Sequence, residues 1–262
     1  MPDGYRLVMD ISGKRVLLTG ASGGLGRAIA HELAGKGARL TISARNEVQL
    51  KELAAETGAE VLVADLADRA DLERVIEAAK ACDVLIANAG IGGDRSVEEM
   101  TPAQVDAAID VNLRAPVMLA TEFSQARLAE GRPGHIVFMG SLSGVTASPR
   151  CRLYNATKFG LRGFSLALRQ DLHGTGIGVS VVEPSFIRDA GMFVDSSIDL
   201  PAGVRTKSPE DVAKAVSRAI RRNEGEVFVA PVELRLAAVL GGLAPRLSAT
   251  VHRLVGAADR VG

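Results

Sequence analysis

The sequence is poor in aromatic residues, cysteine and net charge, and each shortage excludes a class of protein. Aromatic residues make up 3% of the 262 positions and tryptophan is absent, so the usual stacking platforms for single-stranded nucleic acid are missing. The 31 basic side chains equal the 31 acidic ones, whereas nucleic acid and anionic surfaces attract proteins with a basic excess. Cys82 and Cys151 cannot build a disulfide framework, and no CxxC motif or Cys/His cluster indicates a bound metal. We therefore expect no nucleic-acid partner and no metal site.

Long apolar runs are missing as well. Positions 1–12 contain no apolar run of the kind found in signal peptides. No stretch of about 18 or more uncharged apolar residues occurs, which is the length that a membrane-spanning helix needs. A cytoplasmic protein is expected.

The sequence does contain a regular alternation of short apolar runs and amphipathic helical segments. Hydrophobic residues make up 47% and charged residues 24%, enough apolar material for a sizeable core. Near-continuous apolar strands that alternate with helices are typical of a parallel sheet covered on both faces. The predicted strands are 15–19, 39–43, 60–64, 83–87, 135–139, 178–182 and 226–229. Residues 1–262 are thus predicted to form one α/β domain, doubly wound around a seven-stranded parallel sheet of the Rossmann type.

A glycine-rich loop lies between the first predicted strand and the helix after it. Gly20, Gly24 and Gly26 form the pattern G-x3-G-x-G, in which backbone amides and a helix N-terminus can approach a pyrophosphate. No Gly-Lys-Ser/Thr follows, so the loop is not that of a phosphate-loop ATPase. We predict a dinucleotide site here, with a simple tight turn as the alternative.

The ends of strands two and three bear on the choice of cofactor. Where an acid would bind the adenosine ribose, the sequence has Ala44 followed by Arg45, and an arginine can pair with a 2′-phosphate. This favours NADP(H), with NAD(H) as an alternative and a solvated loop charge as the plainer interpretation of Arg45. Asp65 is a candidate for the adenine amino group, or else a turn or N-cap aspartate.

Tyr154, Lys158 and Ser141 are the candidates for the chemistry. Tyr154 and Lys158 are four residues apart and share one helix face. An ammonium about 4 Å from a phenolate at an effective dielectric of about 20 contributes about 4 kcal/mol, which predicts a tyrosine pKa near neutral. Such a phenol suits general acid/base catalysis, although a surface Tyr/Lys pair is the alternative. No histidine or cysteine is placed to activate Ser141, so a serine hydrolase is not expected.

In these residues the chain resembles the single-domain short-chain dehydrogenases/reductases. The likeness extends from about position 14 to 231 and includes the glycine loop, Asn88-Ala89-Gly90, Asn112, and the Ser141, Tyr154 and Lys158 set. The resemblance implies an NAD(P)-binding enzyme that transfers hydride between a nicotinamide and a carbonyl or alcohol carbon. By that resemblance Tyr154 is the general acid/base, Ser141 orients the substrate oxygen, Lys158 also binds the nicotinamide ribose, and Asn112 holds a water in the proton relay. The expected cofactor-binding residues are Gly20, Ser22, Gly24, Leu25, Gly26, Arg45, Asp65, Leu66, Asn88, Gly90, Tyr154, Lys158, Pro184 and Ile187.

Several positions depart from the family pattern. Gly140 stands where the family usually has a first serine, and Ser185 follows Pro184 in place of glycine. Asp189 replaces a threonine that usually touches the cofactor, so it is not carried over as a site residue. Gly23 replaces a basic residue that marks NADP preference, which leaves Arg45 to carry that preference.

The substrate and the partners are expected from weaker patterns. Positions 190–205 should form an apolar lid, which indicates a hydrophobic ketone or alcohol unless these side chains are ordinary packing. The tail, about 232–262, is amphipathic, and we expect it to pack on its own domain or a partner subunit, with contact to a membrane surface as the alternative. The family resemblance implies a homodimer or homotetramer joined through helices near 112–130 and 154–173. A non-catalytic NADP(H)-sensing protein on the same fold is the alternative function.

Overall fold

A computed structural model of the chain describes residues 9–92, 97–188 and 205–254. Seven parallel strands form one sheet in the order β3-β2-β1-β4-β5-β6-β7. The strands are β1 Arg15–Thr19, β2 Arg39–Ala44, β3 Glu60–Val63, β4 Val84–Ala87, β5 Gly134–Met139, β6 Ile177–Pro184 and β7 Glu226–Val229. The chain reverses direction between β1 and β4, and ligands of open α/β sheets bind at such a switch point. The predicted doubly wound parallel sheet is confirmed.

Four of the helices begin at a polar cap that precedes a segment with apolar residues at helical spacing. The helices of the described residues are α1 Gly24–Ala34, α2 Glu47–Thr57, α3 Arg69–Ala81, α4 Pro102–Ile109, α5 Ala115–Glu130, α6 Arg152–Asp171, α7 Pro209–Arg222, α8 Val232–Leu243 and α9 Pro245–Leu254. Asp68 and Ser208 accept main-chain N–H bonds at the starts of α3 and α7. Alternate strand residues then determine which face each helix covers. Leu18 belongs to the core with α1, α2 and α7, whereas Leu17 belongs to the core with α3, α5 and α6.

The two C-terminal helices pack beside the loop that follows β5. A Cβ atom on Gly241 would lie 2.6 Å from Thr146 Oγ1, and one on Gly242 would lie 2.5 Å from the Val145 carbonyl oxygen. These two glycines therefore let α8 approach the loop between β5 and α6 closely. The outer side of α8 leaves apolar side chains exposed, including Leu236, Leu240 and Leu243. Among the described residues, no helix has both the length and the apolar character needed to cross a bilayer.

Candidate active site

The glycine loop is pressed against the end of β4. Gly20 has a φ of +65°, and a Cβ there would lie 2.6 Å from Ala89 Cα. A Cβ on Gly26 would lie 2.6 Å from Ala21 Cα, so helix α1 could not start so close to β1 with a larger residue. Both positions require glycine, because backbone segments approach each other closely at the point where β1 meets α1.

Helix α1 begins without a side-chain cap. The N-cap residue is Gly23, which has no side chain that could accept an N–H bond from the first turn. No acidic residue lies in that turn. By contrast, Asn46, Asp68 and Thr101 each accept an N–H bond at the start of the next helices. The N–H groups at the start of α1 are thus left for an external anion, which is the environment that a pyrophosphate needs. The residues present fit a dinucleotide.

Asn88 supports this loop. Its Nδ2 donates to the carbonyl oxygens of Thr19 and Gly20, both at 3.0 Å. Thr19 Oγ1 in turn accepts from the backbone N–H groups of Asn88 and Ala89 at 3.1 and 3.2 Å. The Asn88 side chain therefore holds the ends of β1 and β4 together.

Two further predicted cofactor residues lie at the ends of β2 and β3. Arg45 is exposed directly after β2, and no carboxylate within the described part of the chain forms an ion pair with it. Asp65 is half-buried, and its Oδ1 accepts the Ala67 N–H at 3.0 Å. One oxygen of Asp65 therefore stabilises the turn into α3, as the alternative interpretation of this residue expected, while Asp68 is the N-cap.

The other predicted cofactor residues surround the same sheet edge. Ser22 and Leu25 belong to the glycine loop and the first turn of α1, and Leu66 is buried after β3. Pro184 ends β6, and buried Ile187 forms a parallel bridge with Lys207. Asp189 and all of the expected lid at 190–205 except its last residue lie outside the described residues.

Asn112 lies in a π-helical turn, Asp110–Arg114, between α4 and α5. Its side chain accepts the Ile91 N–H at 2.7 Å and donates to the Ile91 carbonyl at 2.8 Å. A Cβ on Gly90 would lie 3.4 Å from Asn112 Oδ1 and 3.7 Å from Lys158 Nζ. The loop after β4 is thereby fixed between Asn112 and Lys158.

Ser141, Tyr154 and Lys158 meet at the ends of β5 and α6. The Ser141 side chain is hydrogen-bonded to the Tyr154 phenol. Lys158 is 3% exposed, its Nζ donates to the Met139 carbonyl oxygen at 2.8 Å, and it lies 5.5 Å from the centre of the Tyr154 ring. The structure thus brings the three predicted catalytic side chains into one cluster.

The expected near-neutral tyrosine is wrong for this structure. Burial raises the pKa of Tyr154 to about 12, and the hydrogen bond from Ser141 opposes this shift. The Lys158 ammonium donates to the Met139 carbonyl oxygen. Burial also lowers the pKa of Lys158 to about 8. The chain without cofactor therefore holds a neutral phenol.

Sequence reasoning missed two residues at this cluster. Glu183, within β6, is fully buried and its carboxylate accepts the Ser141 N–H. The sequence contains one sign of this residue, because Glu183 is a charged residue inside the apolar run that ends at Pro184. Asn155 is buried in α6 and donates to the carbonyl oxygens of Ser143 and Thr146 at 2.7 and 3.1 Å, which holds the loop beside Tyr154.

A cavity of about 330 Å³ lies where that loop meets the C-terminal helices. Its lining is mostly apolar or small and comprises Thr146, Ala147, Ser148, Pro149, Gly241, Pro245, Ser248, Ala249 and Arg253. The loop residues of this lining fall between Ser141 and Tyr154 in the chain.

Comparisons with known proteins agree with this arrangement. The family model for short chain dehydrogenases matches residues 14–199. The ketoacyl reductase HetN of Nostoc sp. is 32% identical over an aligned length of 263 residues. The alignment covers 95% of this chain and 91% of that protein. The short-chain dehydrogenase from Sphingobium yanoikuyae in complex with NADPH has a TM-score of 0.77 at 30% identity, covering 90% of this chain and 95% of that one.

A second solved structure is the 3-ketoacyl-(acyl-carrier-protein) reductase from Brucella melitensis complexed with NADH. It has a TM-score of 0.74 at 27% identity and covers 84% of this chain and 97% of its own. The family expected from the motifs is therefore confirmed. This chain belongs to the short-chain dehydrogenase/reductase family and is an NAD(P)-dependent oxidoreductase.

Proposed function

We propose that the protein interconverts a hydrophobic ketone and its secondary alcohol with NADP(H), and that reduction is the favoured direction. The observation that carries the proposal is the hydrogen bond between Ser141 and the half-buried, neutral Tyr154 phenol beside the Lys158 ammonium. A phenol with a pKa of about 12 keeps its proton at neutral pH and can donate it to a carbonyl oxygen.

The residues have separate roles in this reaction. Bound NADPH supplies the hydride. Tyr154 donates its proton to the substrate oxygen, and the Ser141 hydroxyl orients that oxygen. Lys158 is placed to bind the nicotinamide ribose, with its ammonium held by the Met139 carbonyl. Asn112 fixes the loop after β4 beside Lys158, where the proton relay would pass.

The cofactor would lie along the switch-point edge of the sheet. Its pyrophosphate would bind the uncapped start of α1, and Arg45 would bind the 2′-phosphate. A relative crystallised with NADPH supports this preference, while another crystallised with NADH keeps NAD(H) as the alternative.

The substrate class is supported by the apolar lining near the site and by the relatives. The loop at 146–149, Gly241 of α8 and the lining residues of α9 present mainly small and apolar groups. Two relatives are named for ketoacyl reduction. A 3-ketoacyl thioester is therefore the first substrate to test, followed by alkyl ketones of increasing length.

Turnover measurements test the proposal. We expect NADPH oxidation with at least one ketone of this panel, and Tyr154→Phe should lower kcat by about 10²- to 10⁴-fold because the proton donor is lost. NADPH binding should weaken far less than kcat falls, because Lys158 and the glycine loop remain to hold the cofactor when the phenol hydroxyl is lost. Tyr5→Phe, which alters the other of the two tyrosines, is the matched control. Tight NADPH binding with no turnover on any ketone would favour the sensing protein instead.

A further inference from the structure

Glu183 is a buried acid that the reaction described above does not use. It is fully buried, and its Oε2 accepts the Ser141 N–H. Its Oε1 is also buried and has no hydrogen-bond partner among the described residues. A carboxyl group in such a place is costly, so its presence calls for a role.

The sequence makes room for this side chain. A Cβ atom on Gly140 would lie 2.6 Å from Glu183 Cδ. The carboxyl group of Glu183 therefore lies in the space that a side chain at position 140 would need. The glycine that departs from the usual pattern before the catalytic serine is thus explained by an acid on the neighbouring strand.

Glu183 also faces the lysine of the site. Val181 and Glu183 point to the same side of β6, and Val181 belongs to the core that α6 covers. The charged and titratable groups that face Glu183 there are Tyr154, Lys158 and Arg162 of α6 and Glu226 of β7. Helix α7 covers the opposite side of β6, at Val182, and the segment directly after β5 faces Glu183 with the uncharged main chain of Gly140 and Ser141.

We propose that Glu183 is a positioning residue of this enzyme, whose carboxyl group holds the Ser141 main chain so that its hydroxyl meets Tyr154, and whose charge stabilises the Lys158 ammonium. The inference rests on the proposed function. Burial raises the pKa of Glu183 to about 8 and lowers that of Lys158 to about 8, and each group opposes the shift of the other. The carboxyl group therefore helps Lys158 to stay protonated as the pH rises.

Three variants test the catalytic part. Glu183→Gln keeps an oxygen acceptor for the Ser141 N–H but cannot ionise, whereas Glu183→Ala loses both properties. We expect Glu183→Ala to lower kcat about 10- to 100-fold with KM changed less than threefold, because a misplaced catalytic group is costly. Glu183→Gln should restore kcat to within about threefold near pH 7, but the alkaline limb of its pH profile should move to lower pH. Glu226→Gln removes a carboxylate from the same face of the next strand, where it binds Arg162 Nε at 2.6 Å, and should leave kcat unchanged.

A titration independent of turnover tests the electrostatic part. In protein labelled with ¹³C-lysine, the resonance missing from Lys158→Met identifies Lys158, and its midpoint should lie near 8. In Glu183→Gln the titration midpoint of Lys158 should fall by about one pH unit. If no ketone is reduced, the proposed function fails, while this titration still tests the contact between Glu183 and Lys158. An unchanged midpoint would overturn the electrostatic role.

The shared space at Gly140 offers a third test. Gly140→Ala should displace the Glu183 carboxyl group and lower kcat as Glu183→Ala does. Adding Gly140→Ala to Glu183→Ala should then cost little more, because the group that it displaces is already gone. Independent, additive losses in the double variant, or wild-type kcat in Glu183→Ala, would overturn the positioning role. If Glu183→Ala does not fold, wild-type kcat in Gly140→Ala would overturn the positioning role, and the pH profile and lysine titration of Glu183→Gln still test the electrostatic role.

Discussion

Single side chains at the ends of strands account for the cofactor preference proposed here. Ala44 leaves no carboxylate to repel a 2′-phosphate, and the exposed Arg45 follows it. Asn46 is engaged as the cap of α2, where its Oδ1 accepts the Gln49 N–H at 3.1 Å. Of these three neighbours, Arg45 is the one that carries a positive charge for the phosphate.

Arg45→Ala should therefore separate the two cofactors. We expect NADPH binding to weaken by about 1.5–3 kcal/mol, because a charge-assisted phosphate contact is lost, while NADH binding changes little. Fluorescence titration with each cofactor measures both values. Arg39→Ala, at the opposite end of β2, is the control and should affect neither. Equal weakening for NADPH and NADH would contradict the assignment of Arg45.

At the scale of elements, β5 and β6 position most of the chemistry. Ser141 follows β5, and Glu183 is the next-to-last residue of β6, which ends at Pro184. The two strands are also joined at the opposite end by a buried polar pair. His135 Nε2 lies 2.9 Å from Ser180 Oγ, and Ser180 donates to the Glu224 carbonyl at 2.6 Å, so His135 is the donor to Ser180.

This pair makes a prediction about acid stability. Burial lowers the pKa of His135 from its ordinary value of 6.5 to about 3, so the folded chain keeps the imidazole neutral. As the pH falls below about 6.5, the unfolded chain gains a proton that the folded chain does not. The free energy of unfolding should then drop by about 2 kcal/mol at pH 5 from this residue alone. Urea unfolding at pH 7 and pH 5 measures the drop.

His135→Gln is the matched variant, because its side-chain amide can still donate to Ser180 but cannot titrate. It should be less stable than the wild type at pH 7 and lose less stability between pH 7 and pH 5. The same loss in both proteins would assign the acid sensitivity to other groups.

At the scale of the whole molecule, two groups of exposed apolar side chains among the described residues bear on assembly. One lies on α4, α5 and α6 and includes Ile109, Met118, Leu128 and Phe159. The other is the outer side of α8, including Leu236 and Leu240. The first surface lies on the helices through which a homodimer or homotetramer is expected, and we propose it as the subunit interface.

Phe159→Glu should therefore reduce self-association. Phe159 is 40% exposed on α6, and a charge there would be buried in the expected interface without a partner. Light scattering after gel filtration should show the native mass shifting toward a single chain. Leu240→Glu, at 62% exposure on α8, is the control and should leave the mass unchanged. Dissociation by Leu240→Glu alone would place the interface on the tail instead.

Local patterns were sufficient for the architecture of the sheet and for naming most of the candidate residues. Apolar runs and glycine positions depend on neighbours in the chain, so strands such as 15–19 and 226–229 match the structure at both ends. The same holds for Tyr154 and Lys158, whose helical spacing places them on one face.

Only the tertiary structure decided how those residues interact. Burial raises the pKa of Tyr154, and the Lys158 ammonium donates to the carbonyl of Met139, which is 19 positions away in the chain. Glu183 is 42 positions from Ser141 and meets it only because β5 and β6 are neighbours in the sheet. Contacts between groups so far apart in the chain, and the desolvation they share, arise from packing, and a pattern read along the sequence does not contain them.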